Sequence, residues 1–187
     1  MSRELVQVAR QLILLGDSQL AKTSRNKSIS AAYYAVFSAT CELVADAFAN
    51  QESGGLWAHE NFIRAYRALD HRTVKAVAHL VGGSLEEIAK GEKNPKIKEH
   101  NDVLAKFGLP PERSGGHKII WSINFIALQQ ARVSADYNPR FQASVQEANS
   151  RVIQAEEALD ALSSLGEQGR AQLAFELVFP TRRESKS

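Results

Sequence analysis

The amino-acid sequence predicts an all-α fold, an up-and-down bundle of four or five long helices, on three observations. Apolar residues recur at spacings of three and four through most of the chain, which gathers them on one face of a helix. The stretch 28–48 is rich in alanine, with Ala31, Ala32, Ala35 and Ala39 letting neighbouring helices approach closely. Glycine pairs, prolines and capping residues fall between the periodic stretches, and no sheet is evident.

Ser2 is placed to cap a first helix running to about residue 22, with Leu5, Val8, Leu12, Leu15 and Gln19 as its core-facing stripe. The polar run 23–27 reads as a break before a second helix over 28–48. There Ser30, Tyr34 and Ser38 recur every four residues, a polar stripe that suits water, a cleft or a partner subunit. After a loop at 50–55, helices are expected over 58–69 and 71–81, with Asp70 as the cap between them. Residues 82–116 read as a helical insertion: a capping box at 84–87, an Asn94-Pro95 helix start, then a loop over 109–116. A long helix over 117–137 carries Ile120, Ile123, Phe125, Ile126, Leu128 and Val133. Asn138-Pro139 ends it and opens a last helix to about residue 165, with Phe141, Val145, Ala148, Val152, Ala155, Leu159 and Leu162 on one face. The bundle thus spans 1–169. Beyond it Leu173, Phe175, Leu177 and Phe179 alternate with other residues, a period-two pattern that predicts an extended C-terminal arm over 171–179 within a tail of 170–187.

Composition narrows the function classes. At 187 residues, with 44% hydrophobic and 24% charged content, the chain suits a globular domain with its own core. A net charge of +2 does not mark a nucleic-acid binder by bulk charge and leaves the matter to local patches. The lone Cys41 excludes an internal disulfide and a thiolate-rich zinc site; among Ala39, Leu43 and Val44 it reads as a buried, inert thiol. The start Met1-Ser2-Arg3-Glu4 lacks an apolar signal core, and no apolar run approaches the ~20 residues of a membrane span, so a cytoplasmic protein without membrane contact is expected. No cofactor is expected: Gly54-Gly55, Gly82-Gly83 and Gly115-Gly116 lack the flanking strand of a phosphate loop.

Three segments carry a family resemblance. Residues 25–37, Arg-Asn-Lys-Ser-Ile-Ser-Ala-Ala-Tyr-Tyr-Ala-Val-Phe, resemble the Ser-x-Ala-Tyr-Tyr-Ala-x-Phe helix of prokaryotic HEPN proteins. Residues 59–64, starting at His59, are similar to the His-containing start of that family's following helix. Residues 132–137, Arg-Val-Ser-Ala-Asp-Tyr, resemble its Arg-x-x-Ala-Asp-Tyr segment. The resemblance implies a helical bundle, usually a homodimer, from bacterial defence or toxin–antitoxin systems. Many members are metal-independent endoribonucleases with an Arg-x4-6-His motif in a groove across the dimer. Others pair with a nucleotidyltransferase or have lost catalysis. In the nuclease reaction an arginine steadies charge on the scissile phosphate and a histidine moves a proton.

Carried onto this chain, the resemblance makes Arg132, Asp136 and Tyr137 candidate catalytic residues, with Ser30, Tyr34, Ser38 and His59 lining the groove. Tyrosines near this motif are modified in some related toxins, which brings Tyr137 into view a second time. The chain departs from the nuclease pattern in one respect. Positions 137–139 are Tyr, Asn and Pro, so no histidine follows Arg132 at the required spacing, and a phenol is a poor general base at neutral pH.

Simpler roles compete with these. Arg132 and Asp136 stand four apart, the spacing of an ordinary helix ion pair worth ~0.3 kcal/mol. Tyr33 and Phe37 suit the core, whereas Tyr34 lies on the serine stripe. His59 with Glu60 lacks further ligands for a metal, and a helix-start role is the plainer one. Two functions follow: an RNA- or nucleotide-associated dimer, or a non-catalytic assembly subunit that binds a nucleotidyltransferase or larger effector protein.

Overall fold

The computed structural model describes residues 1–15, 19–48, 56–82 and 115–179, apart from the side chains of 19, 20, 48, 56–59, 61 and 115. Seven α-helices follow one another along these residues, with no strand among them: α1 (Ser2–Ile13), α2 (Gln19–Phe48), α3 (Leu56–Ala68), α4 (His71–Gly82), α5 (Gly115–Tyr137), α6 (Val145–Ser163) and α7 (Glu167–Val178). The all-α helical bundle expected from the periodicity is the fold found. The helices expected at 84–87 and 94–108 lie outside the described residues. The chain divides into two compact units, Met1–Thr40 with Gly115–Ser164 and Cys41–Ser114 with Leu165–Ser187, so α2 serves both.

In the first unit α5 packs along α6, and α1 packs on α6. The first helix ends at Ile13 rather than near residue 22. Its buried face is Ser2, Val6, Ala9 and Ile13, while Val8 and Leu15 of the expected stripe are exposed. Arg3 and Arg10 flank that buried face and reach α6, pairing with Asp160 at 2.9 Å and Glu156 at 2.6 Å. The helix thus turns small Ala9 inward and pairs both arginines with α6, while its Leu5 and Leu12 are half-buried.

Residues 23–27 do not break a helix; they lie within α2. Their side chains serve the link between α5 and α6. Arg25 Nε donates to the Ala143 carbonyl at 2.8 Å, Asn26 Nδ2 donates to the Phe141 carbonyl at 3.1 Å, and Asn26 Oδ1 accepts from Ala143 N–H at 3.1 Å. Polar residues persist in the helix because the groups they satisfy are more than a hundred positions away. Beneath them Ile29, Ala131 and Ala143 form a buried cluster with Phe141 and Ala135 packed on it. The last long helix accordingly begins at Val145, not at Pro139. Ser144 caps it by accepting the Glu147 N–H at 3.0 Å, and Val145 is exposed. Residues 115 and 116, expected in a loop, form the first turn of α5.

The α2–α5 contact is largely aromatic. Trp121, Phe125 and Tyr33 are fully buried, with Tyr33 and Phe125 ring centroids 5.5 Å apart and Trp121 and Phe125 5.8 Å apart. Trp121 Nε1 donates to Thr40 Oγ1 at 3.1 Å, and Thr40 Oγ1 donates to the Val36 carbonyl at 2.9 Å. Ile120 and Val133, expected inside, are exposed on α5. One stretch of α2, Ala21–Ala47, is long and apolar enough to cross a membrane by length and composition, contrary to the expectation of no such run; 72% of its most apolar window is buried inside the protein. Interspersed Ser, Thr and Tyr obscure the length of that run in the sequence.

In the second unit α4 packs on α7, and Val74, Val77, Leu173 and Leu177 are buried. Asp70 caps α4 by accepting the Thr73 N–H at 2.7 Å, a bond that lowers the Asp70 pKa. Cys41 is 1% exposed, and burial, reinforced by Glu42, pushes its thiol up to about 12. The expected extended arm is instead α7. A two-residue step turns a helix by ~200°, so the alternating pattern resolves into two opposite stripes. Leu173 and Leu177 are buried, whereas Phe175 and Phe179 are 59% and 56% exposed with ring centroids 4.9 Å apart.

Candidate functional site

Five of the sequence-predicted residues, Ser30, Tyr34, Arg132, Asp136 and Tyr137, meet at the C-terminal end of α5. Arg132 projects from α5 toward α2, where its Nη2 donates to Tyr34 Oη at 2.7 Å. One turn on, Asp136 places Oδ2 2.7 Å from Arg132 Nε. That N–H is not aimed at the carboxylate, so the contact is a close ion pair without hydrogen-bond geometry. Three rings surround the guanidinium, with centroids 5.8, 5.4 and 5.2 Å from its carbon for Tyr33, Tyr34 and Tyr137. The arginine is thus both the expected helix ion pair and the bridge to Tyr34.

Asp136 is the hub. Its Oδ1 accepts from Ser30 Oγ at 2.7 Å and lies 3.4 Å from Lys27 Nζ. Burial opposes its ionisation; the Ser30 hydroxyl, Lys27 and Arg132 more than offset this, and its pKa is lowered. Arg132 shows the complementary balance. Burial disfavours its charge, Tyr34, Tyr137 and Asp136 favour it, and its pKa is raised. Both side chains retain about one-sixth exposure, 16% and 15%, so the pair is desolvated while still touching water.

Ser30, Tyr34, Arg132, Asp136 and Tyr137 are therefore one constellation. Tyr33 is the core aromatic and Tyr34 the half-buried partner of the arginine, as their spacing suggests. Ser38, two turns beyond Ser30, is buried at 8% exposure. The His59 side chain lies outside the described residues. Sequence reasoning missed Lys27 and Asn26. Extending the four-residue stripe one turn backwards, from Ser38, Tyr34 and Ser30 to Asn26, would have found the latter.

A depression of about 320 Å³ adjoins the cluster, bounded on α2 by Lys22, Thr23, Asn26 and Lys27 and on the α5–α6 link by residues including Phe141 and Gln142. Among the described residues no group of three or more His, Cys, Asp or Glu is placed to hold a metal ion. The described histidine of the first unit, His117, sits fifteen positions before Arg132, roughly 22 Å along α5 at ~1.5 Å per residue. No described histidine of this unit therefore stands beside Arg132, whose titratable neighbours are Asp136, Tyr34 and Tyr137. What stands here is a guanidinium paired with a carboxylate and bonded to a phenol, with the exposed Tyr137 ring beside it.

Comparison of the chain with family models, with curated proteins and with solved structures finds no match.

Proposed function

We propose that this chain is an RNA- or nucleotide-associated, HEPN-like helical protein of a bacterial defence or toxin–antitoxin system, acting in the cytoplasm as a homodimer. The observation that carries the reading is the Arg132–Tyr34 bond, which joins two of the three segments of the resemblance in a half-buried cluster. In this reading the arginine engages phosphate, and the exposed Tyr137 ring offers a surface for a base. Binding is proposed ahead of cleavage, because no histidine follows Arg132 at the nuclease spacing and Asp136 is held in its ion pair with Arg132.

Labelled single-stranded RNA and pure protein, mixed without metal, provide the test. Retention of intact RNA by the native chain and its loss with Arg132→Ala are the expected results; equal retention by both would remove Arg132 from the function. Cleavage by the native chain alone would show that the chain supplies a general base from elsewhere. Light scattering at micromolar concentration is expected to give a dimer mass.

A second reading has its own support. Asp136 already balances the charge of Arg132, as in a purely structural pair. A non-catalytic assembly subunit that binds a nucleotidyltransferase or an effector protein would need no more than this. Absence of RNA binding, together with complex formation by the neighbouring gene product, would favour it.

A further inference from the structure

We propose that the depression between the start of α2 and the α5–α6 link binds a nucleotide by its phosphate, with Lys22 and Lys27 as the cations and Asp136 as a built-in competitor. The inference deepens the nucleotide-associated reading and rests on it for the kind of ligand; the site itself rests on its own geometry.

Lys22, Thr23, Asn26 and Lys27 occupy positions i, i+1, i+4 and i+5, which is one face of α2. Opposite stand Phe141 and Gln142, so the lining residues bring two lysines, a threonine, the Gln142 amide and an aromatic residue together, with the Asn26 amide already bonded to the link. None of the described lining residues is acidic. The shape is built in advance, because Asn26 and Arg25 hold the link backbone through Phe141 and Ala143. The volume of about 320 Å³ sits at the small end of the ~300–1,000 Å³ range of ligand sites, the size of one nucleotide rather than a larger cofactor.

Lys27 is the movable part. Its Nζ is 3.4 Å from Asp136, well beyond the ~2.7–2.9 Å of a strong charged bond, and its side chain is 62% exposed. Asp136 also accepts from Ser30 at 2.7 Å and lies 2.7 Å from Arg132, so Lys27 is one of three partners. A phosphate therefore draws Lys27 away without stranding the carboxylate, and the carboxylate resists by its own attraction for the lysine.

The experiment titrates the full chain with adenosine monophosphate, adenosine, inorganic phosphate and a five-nucleotide RNA, followed by calorimetry. Adenosine monophosphate or the RNA is expected to bind and adenosine to fail. The double variant Lys22→Glu, Lys27→Glu is expected to weaken binding at least about tenfold, since each reversal replaces attraction by repulsion. Asp136→Asn is expected to tighten it about two- to fivefold, the scale of one partly exposed charge. For the RNA, the log–log salt slope is expected to fall by about 1 per lysine removed. Binding of the free nucleotide alone identifies a small-molecule site, and binding of the pentamer alone a site for one unit of a strand. Should RNA bind in a way that needs Arg132 yet ignores Lys22 and Lys27, the depression is refuted and the RNA-associated reading stands. Lysine-dependent nucleotide binding without RNA binding leaves the depression standing and removes the RNA. If nothing binds at millimolar concentration, both fall.

Discussion

Helices α2 and α5 meet through polar groups at two places, and the two are built differently. At Trp121 and Thr40 both residues are fully buried, and one indole N–H feeds one hydroxyl, which feeds one carbonyl. At Arg132 the contact is charged, shared among a carboxylate, a phenol and three rings, and open to water along the largely exposed Tyr137. The closed junction fixes how the helices pack, because an indole left unpaired in that setting is costly. The open junction keeps its charged pair in partial contact with water. The closed and the open junction thus occupy different turns of the same two helices.

The largest way to break this division is at the closed end. Trp121→Ala is expected to cost about 3–5 kcal/mol in urea unfolding, from lost aromatic burial and the cavity left behind. The folded fraction should keep its RNA affinity. Next comes the clip over the α5–α6 link: Asn26→Ala removes three backbone bonds and is expected to cost about 2 kcal/mol. Hydrogen exchange should rise locally at Ala143, and a global change without that local signal would place the cost elsewhere.

At the open end Arg132→Ala is expected to cost only about 1–2 kcal/mol, but to abolish most RNA retention. Arg132→Lys should restore little, since an ammonium does not reproduce the planar contacts with the rings together with the Nη2 bond to Tyr34. The smallest effect concerns pH. The folded Asp136 pKa lies below its unfolded value of ~3.9, so its contribution is fully present above that value and fades as pH falls toward the folded pKa. Comparison of native protein with Asp136→Asn between pH 6 and about 2 should show the native chain losing the extra stability and the variant not. Parallel curves would mean that the carboxylate contributes nothing across that window.

Local rules made much of this legible. The four-residue stripe of α2, the division of labour between Tyr33 and Tyr34, and the cap at Asp70 all depend on neighbours within a turn. The link from Arg132 to Tyr34 was expected from the resemblance of two segments. What escaped depends on partners distant in sequence. The start of α2 looked like a break because Arg25 and Asn26 are polar, and only the fold reveals the carbonyls they serve. Val8 of α1 reads as core because nothing local says that Arg3 and Arg10 pair with α6. In α7, two helical stripes half a turn apart produce the same alternation as a strand.

Cys41 adds a reporter already installed in the chain. A thiol 1% exposed and held near 12 is neither accessible nor ionised at neutral pH, so maleimides and aromatic disulfides meet it only when the surrounding helices part. With a single cysteine, every modified molecule records one opening event at one known position. The labelling rate across denaturant concentrations then separates local fraying of α2 from complete unfolding without any engineered probe.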